Sequence, residues 1–190
     1  MPKAKITKEM IVDAAFEVAR TEGAENINAR TVSERLHCST QPVLYHFHTI
    51  EEIRNEAFRK ADRFHTAYIM NVQGCYDNPM LEIAMRYIKF AETEKHLFRF
   101  LFQSNKFVNR NLSDWVDDEK IIPIIRLIGE QGKIDGQQAK NLFTGIYMMM
   151  HGYASMFANN SMEFDEASII RNLQTAFLGM IGAMKEKQEK

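Results

Sequence analysis

Ser39-Thr40-Gln41-Pro42-Val43-Leu44-Tyr45-His46-Phe47, followed by Thr49-Ile50-Glu51-Glu52-Ile53, is the stretch whose reading decides the fold. Ser39 or Thr40 can cap a helix, and Pro42 then falls in its first turn, where a missing N–H costs little. Thr49 with Glu52 three residues on is a capping-box signature, and Ile53, Ala57, Ala61 and Phe64 continue from it at helical spacing. Upstream, Asn28 suits the cap of a short helix that carries Val32 and Leu36 inward and ends near His37-Cys38. Before that, Ile11, Ala15, Val18 and Ala19 repeat at i, i+4, i+7 and i+8, with Thr7 as N-cap and Gly23 as stop. Three short helices and a long one, with only a three-residue turn between the second and third, predict a helix-turn-helix.

Downstream of Gly74 and Asn78-Pro79 the helices lengthen. The pattern predicts helices over 79–94, 95–103, about 117–131 with Pro123 as a start or kink, 136–159 and 165–186, the last two separated by Asn159-Asn160-Ser161. No stretch alternates as a strand does. The expectation is an all-α chain of about nine helices. Residues 1–50 would form a helix-turn-helix head, 51–74 a connecting helix, and 75–190 a helical bundle. With 45% hydrophobic and 26% charged residues in 190, the composition is that of a globular protein.

No run approaches the ~18 apolar residues of a membrane span. The start, Met1 to Lys8, is positive but has no apolar stretch behind it, so a cytoplasmic protein is expected. Cys38 and Cys75 have neither metal-type spacing nor the number for a disulfide framework, which fits a reducing compartment. His37, Cys38, His46 and His48 raise zinc, but no second cysteine lies near them, so no metal site is expected. Gly-rich phosphate loops, nucleophile elbows and His-Glu-x-x-His runs are missing, and neither an enzyme nor a cofactor is expected.

The net charge is −1. In residues 1–60, nine bases (Lys3, Lys5, Lys8, Arg20, Arg30, Arg35, Arg54, Arg59, Lys60) meet nine acids (Glu9, Asp13, Glu17, Glu22, Glu25, Glu34, Glu51, Glu52, Glu56), so the head is neutral. Any affinity for nucleic acid must come from placement: Lys3, Lys5, Lys8, Arg30 and Arg35 lie before the turn, whereas Glu51, Glu52 and Glu56 lie beyond it.

The run 39–47 with 49–53 resembles the helix-turn-helix signature of the tetracycline-repressor (TetR) family of bacterial regulators. There a tyrosine and an aromatic close the recognition helix, and a Lys-Glu-Glu-Leu type start opens helix four. The likeness covers about residues 7–60, including Ile11, Ala14-Ala15, Gly23 and Arg30-Thr31-Val32; His151-Gly152 in a hydrophobic helix resembles a pattern of some of the family's ligand domains. Two positions depart from the family. His37 or Cys38 stands where a turn glycine is common, and His tolerates the left-handed conformation better than most residues. Ile50 replaces the usual basic residue, a loss for which Arg54 or a helix-start N–H could substitute.

The resemblance implies a homodimer that binds double-stranded operator DNA and releases it when a small hydrophobic effector enters the body. It places the third helix in the major groove with Thr40, Gln41, Val43, Tyr45 and His46 outward and Leu44 and Phe47 inward. Gln41 can read adenine, and Thr40 and Val43 can meet a thymine methyl. Arg30, Thr31, Ser39 and Thr49 join these as DNA-contact candidates. The bland alternatives are that Thr40 only caps, that Tyr45 packs on helix one and that Arg30 is a solvated charge. Lys3 and Lys5 form either an arm or a tail.

In the body, Tyr147, Met148, Met149 and Met150 follow one another around a helix, so they cannot all face one core. Phe98, Phe102, Trp115, Tyr147, Met148 and His151 are the candidates for an apolar ligand pocket. Ala176, Gly179 and Ala183 form a small-residue stripe suited to a second copy, since a helix-turn-helix needs a two-fold partner to read both half-sites. The alternative to a regulator is a helical protein-interaction adaptor that kept the fold and lost specific DNA binding, for which the neutral head and Ile50 speak.

Overall fold

The computed structural model describes residues 6–76, 78–104, 116, 119 and 121–186. Among them lie nine α-helices and no strand: α1 (Lys8–Glu22), α2 (Ala29–Arg35), α3 (Thr40–His46), α4 (Ile50–Met70), α5 (Pro79–Thr93), α6 (Lys95–Phe102), α7 (Ile122–Gly132), α8 (Gly136–Asn159) and α9 (Glu166–Glu186). The all-α expectation of about nine helices therefore holds.

Local chemistry sets the helix ends. The Thr7 side chain accepts from Met10 N at the start of α1, and Gly23 ends that helix at φ 99°, ψ 148°. At this φ the position favours glycine, while the Glu25 carboxylate, 2.4 Å from where a Cβ would stand, is the flexible end of an exposed side chain. Asn28 caps α2 by accepting from Arg30 N and Thr31 N, while Thr31 Oγ1 accepts from Asn28 N to complete a capping box. Thr49 accepts from Glu52 N, but the Glu52 carboxylate reaches one residue further back than expected and accepts from His48 N at 3.0 Å. Pro123 sits in the first turn of α7 and so starts that helix rather than kinking it.

The chain divides into two compact units, residues 1–73 with 89–106, and residues 74–88 with 107–190. This is not the linear division expected from the sequence. In the first unit α1 packs on α4 and α6, and α2 on α3. Ile11, Ala15, Val18, Val32, Val43, Phe47, Ile53 and Ala57 form its buried centre. Phe90 of α5 and Leu97, Phe98 and Leu101 of α6 are buried in the same unit, each at 2% exposure or less. An Arg20–Glu94 ion pair joins α1 to the residue that precedes α6, with Arg20 Nε 2.8 Å from Glu94 Oε2. Phe16–Phe64 (5.6 Å) and Phe58–Phe100 (5.3 Å) edge contacts fill the space between the helices.

In the second unit α7 packs on α8, and α8 on α9. Its core runs from Val116 through Ile125, Ile128, Ala139 and Leu142 to Phe143, bordered by Phe177, Met180 and Ile181 of α9. The tip of the Met180 side chain of α9 packs over Gly145, 2.5 Å from where a Cβ would stand. The buried Glu82 carboxylate accepts from Gly74 N (2.9 Å) and Cys75 N (3.0 Å), which holds the segment before α5 against that helix.

Candidate nucleic-acid interface and ligand cavity

The turn between α2 and α3 is built from three backbone features. Leu36 closes α2, His37 takes the left-handed conformation at φ 52°, and the backbone returns with His37 N donating to Glu34 O (3.1 Å) and Cys38 N to Ser33 O (3.0 Å). These two bonds are the 5→2 and 6→1 pair of a Schellman ending, which satisfies the last carbonyls of α2 and reverses the chain within three residues. His37 thus fills the position where glycine was missed.

Ser39 precedes α3 in extended conformation, without a side-chain cap bond. Val43 (0% exposed) and Phe47 (2%) anchor the helix in the core, while Leu44 (53%) and Tyr45 (79%) stand in solvent. Val43 and Leu44 have therefore exchanged the positions expected for them. The reason is one of phase: both Val43 at i−4 and Leu44 at i−3 can share a helical face with Phe47, and the apolar pattern does not choose between them. A side chain with no exposed surface has nothing to offer a base edge, so Val43 is a core residue. The outward face of α3 consists of Thr40, Gln41, Leu44 and Tyr45, with His48 just beyond, and the helix carries no Lys or Arg.

Other expected contacts are engaged within the protein. His46 is half-buried, with Nε2 2.9 Å from Ile6 O, so it ties the start of the chain to α3. Thr31 is held by its capping box and by donating to Asn26 O at 2.7 Å. Thr49 accepts the bond that starts α4. Arg30 stays 84% exposed, with Nε 2.8 Å from Glu34 Oε1, a surface pair that water screens and that costs little to break. Arg54 turns inward and donates to Glu25 O and Ile27 O, both at 3.3 Å, so it is not the substitute for a base at position 50. Arg20, Arg35, Arg59 and Lys60 also pair with acids. Ser39, Thr40, Gln41 and Tyr45 remain exposed as expected.

The second unit holds a cavity of about 130 Å³. Met80, Ile83 and Ala84 of α5, Ile124 and Ile128 of α7, Leu142, Phe143, Ile146, Tyr147 and Met150 of α8, and Leu173 and Phe177 of α9 form its walls; Asn78 and Gln174 are its polar rim, and among the described residues no charged side chain lines it. Phe143, Tyr147 and His151 repeat every four residues along α8 and stack, with ring centres 6.0 Å and 5.7 Å apart and planes inclined by 21° and 29°. The Tyr87 hydroxyl lies 2.9 Å from His151 Nδ1 and 3.3 Å from the Tyr147 hydroxyl. Burial raises the pKa of Tyr87 and Tyr147 and lowers that of His151, so the cluster is a neutral hydrogen-bonded group at physiological pH.

Of the pocket residues expected from the sequence, Tyr147 lines this cavity and His151 stacks on Tyr147. Phe98 and Phe102 do not: they pack together at 5.0 Å in the first unit, with Phe102 against His65 at 5.1 Å, because α6 supplies part of that unit's core. Met148 is 44% exposed and faces away from the cavity. Trp115 lies outside the described residues, as do Lys3 and Lys5. On α9, Gly179 and Ala183 are exposed and Ala176 is half-buried. Leu178, 67% exposed, was missed beside them, although a leucine among small residues on a solvent face is the signal that could have found it. Met148, Gly152 and Met156 are exposed on α8.

Among the described residues no helix is long and apolar enough to cross a membrane, and no group of three or more His, Cys, Asp or Glu is placed to hold a metal ion. Fold and sites together define an all-helical, helix-turn-helix chain with an apolar cavity in its second unit. No protein-family model matches the chain. It is similar to an uncharacterized HTH-type transcriptional regulator, YobS, of Bacillus subtilis (strain 168), at 23% identity over 185 residues that span 95% of each protein.

Proposed function

We propose that this protein is a DNA-binding transcription regulator of the tetracycline-repressor type, a homodimeric repressor that releases its operator when a small hydrophobic molecule enters the cavity of the second unit. The observation that carries this reading is the outward face of α3, Thr40-Gln41 with Leu44-Tyr45, held over a buried Val43 and Phe47 immediately after a Schellman turn. Similarity to an HTH-type transcriptional regulator along nearly the whole chain supports it. Gln41 offers the paired donor and acceptor that suit adenine, and Leu44 replaces Val43 as the apolar partner for a thymine methyl. With α3 free of Lys and Arg, phosphate contacts fall to Arg30 and to backbone N–H groups at the starts of α3 and α4.

Two further features support the finer parts of the reading. The exposed stripe of Leu178, Gly179, Gly182 and Ala183 on α9 is an apolar surface suited to a second copy, and Met148 and Met156 of α8 are exposed as well. Helix α5 contributes Met80, Ile83 and Ala84 to the cavity walls and Phe90 to the core of the first unit, so one helix serves both. A molecule that prefers a setting of α5 other than the DNA-bound one would lower DNA affinity, and DNA would weaken its binding by the same factor. The neutral head favours a second reading, a protein-interaction adaptor without operator.

Fluorescence anisotropy with DNA from upstream of the protein's own gene separates the two. A regulator binds with a steep salt dependence and a sequence preference. Gln41→Ala then loses about 1–3 kcal/mol of discrimination, whereas Arg30→Ala weakens all sequences alike and flattens the salt slope. Binding that is absent, or insensitive to salt and sequence, points to the adaptor.

A further inference from the structure

We propose that the cavity of the second unit takes a neutral, one-ring aromatic molecule such as toluene, an assignment of ligand class that rests on reading this unit as the effector-binding part of the protein. Size is the first constraint. At about 130 Å³ the cavity is well below the ~300–1,000 Å³ of sites for drug-sized ligands, and close to the ~150 Å³ engineered hole lined by Leu, Ile and Phe that stays dry and binds benzene. A bicyclic or steroidal molecule would have to push apart α7 and α8, whose Ile128 and Leu142 are only 5% and 0% exposed.

Charge is the second constraint. Among the described residues no Lys, Arg, His, Asp or Glu lines the walls, so a carboxylate or an amine would lose its hydration without gaining a partner from them. Of the two amides at the rim, Asn78 already accepts from Met80 N at 2.8 Å. The third constraint is shape. Phe143 and Tyr147 present two nearly parallel rings, 6.0 Å apart, along one wall, a surface against which a flat ring packs edge-on or offset. Met80 and Met150 line the same cavity, and their flexible thioethers can make favourable contacts with a ring edge. A branched alkane meets the size limit but gains nothing from this aromatic wall.

Thermal unfolding of the full chain in sealed samples, with toluene, naphthalene or sodium benzoate, tests the assignment, with ligand-observed NMR to report binding directly. Toluene at about one hundred times its Kd should raise the melting temperature by roughly 5 °C or more. Naphthalene and benzoate should leave it unchanged. Ala84→Leu fills the cavity from α5 and should abolish the toluene shift; Ile146→Phe does the same from α8 should the first variant fold poorly. Equal shifts with benzoate, a toluene shift that survives in both filled variants, or no toluene binding to the parent protein overturns the assignment. If toluene binds and the filled variants block it, yet operator affinity stays the same, the ligand class stands and the effector role falls.

Discussion

Exchanging single methyl-bearing side chains on α3 separates its two faces. Val43 is fully buried, so Val43→Ala removes two methyl-sized groups from the core at about 0.8 kcal/mol each and leaves a small void. The expected cost is about 2–3 kcal/mol, or roughly 5–10 °C in melting temperature for a chain of this length. Leu44 is more than half exposed, and Leu44→Ala should change stability by no more than about 0.5 kcal/mol. Its effect should appear in DNA binding, as a loss of about 1 kcal/mol of discrimination at the base pair whose methyl it meets. Scanning calorimetry reads the first quantity and competition anisotropy the second. A Leu44→Ala protein that melts many degrees lower while Val43→Ala melts normally would refute the phase assigned to α3, and with it the set of residues offered to DNA.

Three other outcomes follow from particular residues. Burial among Phe90 and Phe102 holds His65 at a pKa of about 4 against an ordinary 6.5, with Asp62 opposing the shift. The unfolded chain then binds the proton more readily, so stability is full above pH 6.5 and declines by about 3 kcal/mol as pH falls to 4 and below; chemical denaturation of His65→Leu across that window should show a flatter profile. Glu82→Ala strands the N–H groups of Gly74 and Cys75 and should cost about 2–4 kcal/mol by calorimetry. The proposed pairing through α9 predicts that the parent protein sediments as a dimer and Leu178→Glu as a monomer while circular dichroism stays helical; a monomeric parent refutes the pairing, and an unaltered dimer places the interface elsewhere.

Caps were the most legible part of the sequence. Thr7, Asn28 and Gly23 each act through a hydrogen bond or a dihedral set by near neighbours and do what the sequence implied, while Thr49 caps α4 without the return bond from Glu52 and Ser39 makes no side-chain cap bond. His37 likewise takes the turn conformation demanded of it. Where the sequence misled, the missing information was tertiary. Val43 and Leu44 are both apolar at permitted spacing from Phe47, and only the surface presented by α1 and α2 selects one. Phe98 and Phe102 look like pocket aromatics until α6 is seen to close the core beside α1 and α4. The cavity walls from Met80, Ile83 and Ala84 carry no signal at all, since an apolar residue facing a hole has the same periodicity as one facing a neighbour.

The distribution of the first unit over two stretches of chain bears on how such a protein can be rebuilt. A fragment ending at residue 73 would carry the whole helix-turn-helix yet lack Phe90, Leu97, Phe98 and Leu101, which cover the inner sides of α1 and α4. Arg20 would lose Glu94 as well. The helix-turn-helix part is therefore not a cassette: a recombination crossover placed in the Gln73-Gly74 loop joins a head to a foreign α6 and disturbs its core, even where the two helix-turn-helix sequences are identical. Chimeras that exchange specificity should instead carry residues 89–106 along with 1–73, or graft only the outward residues of α3.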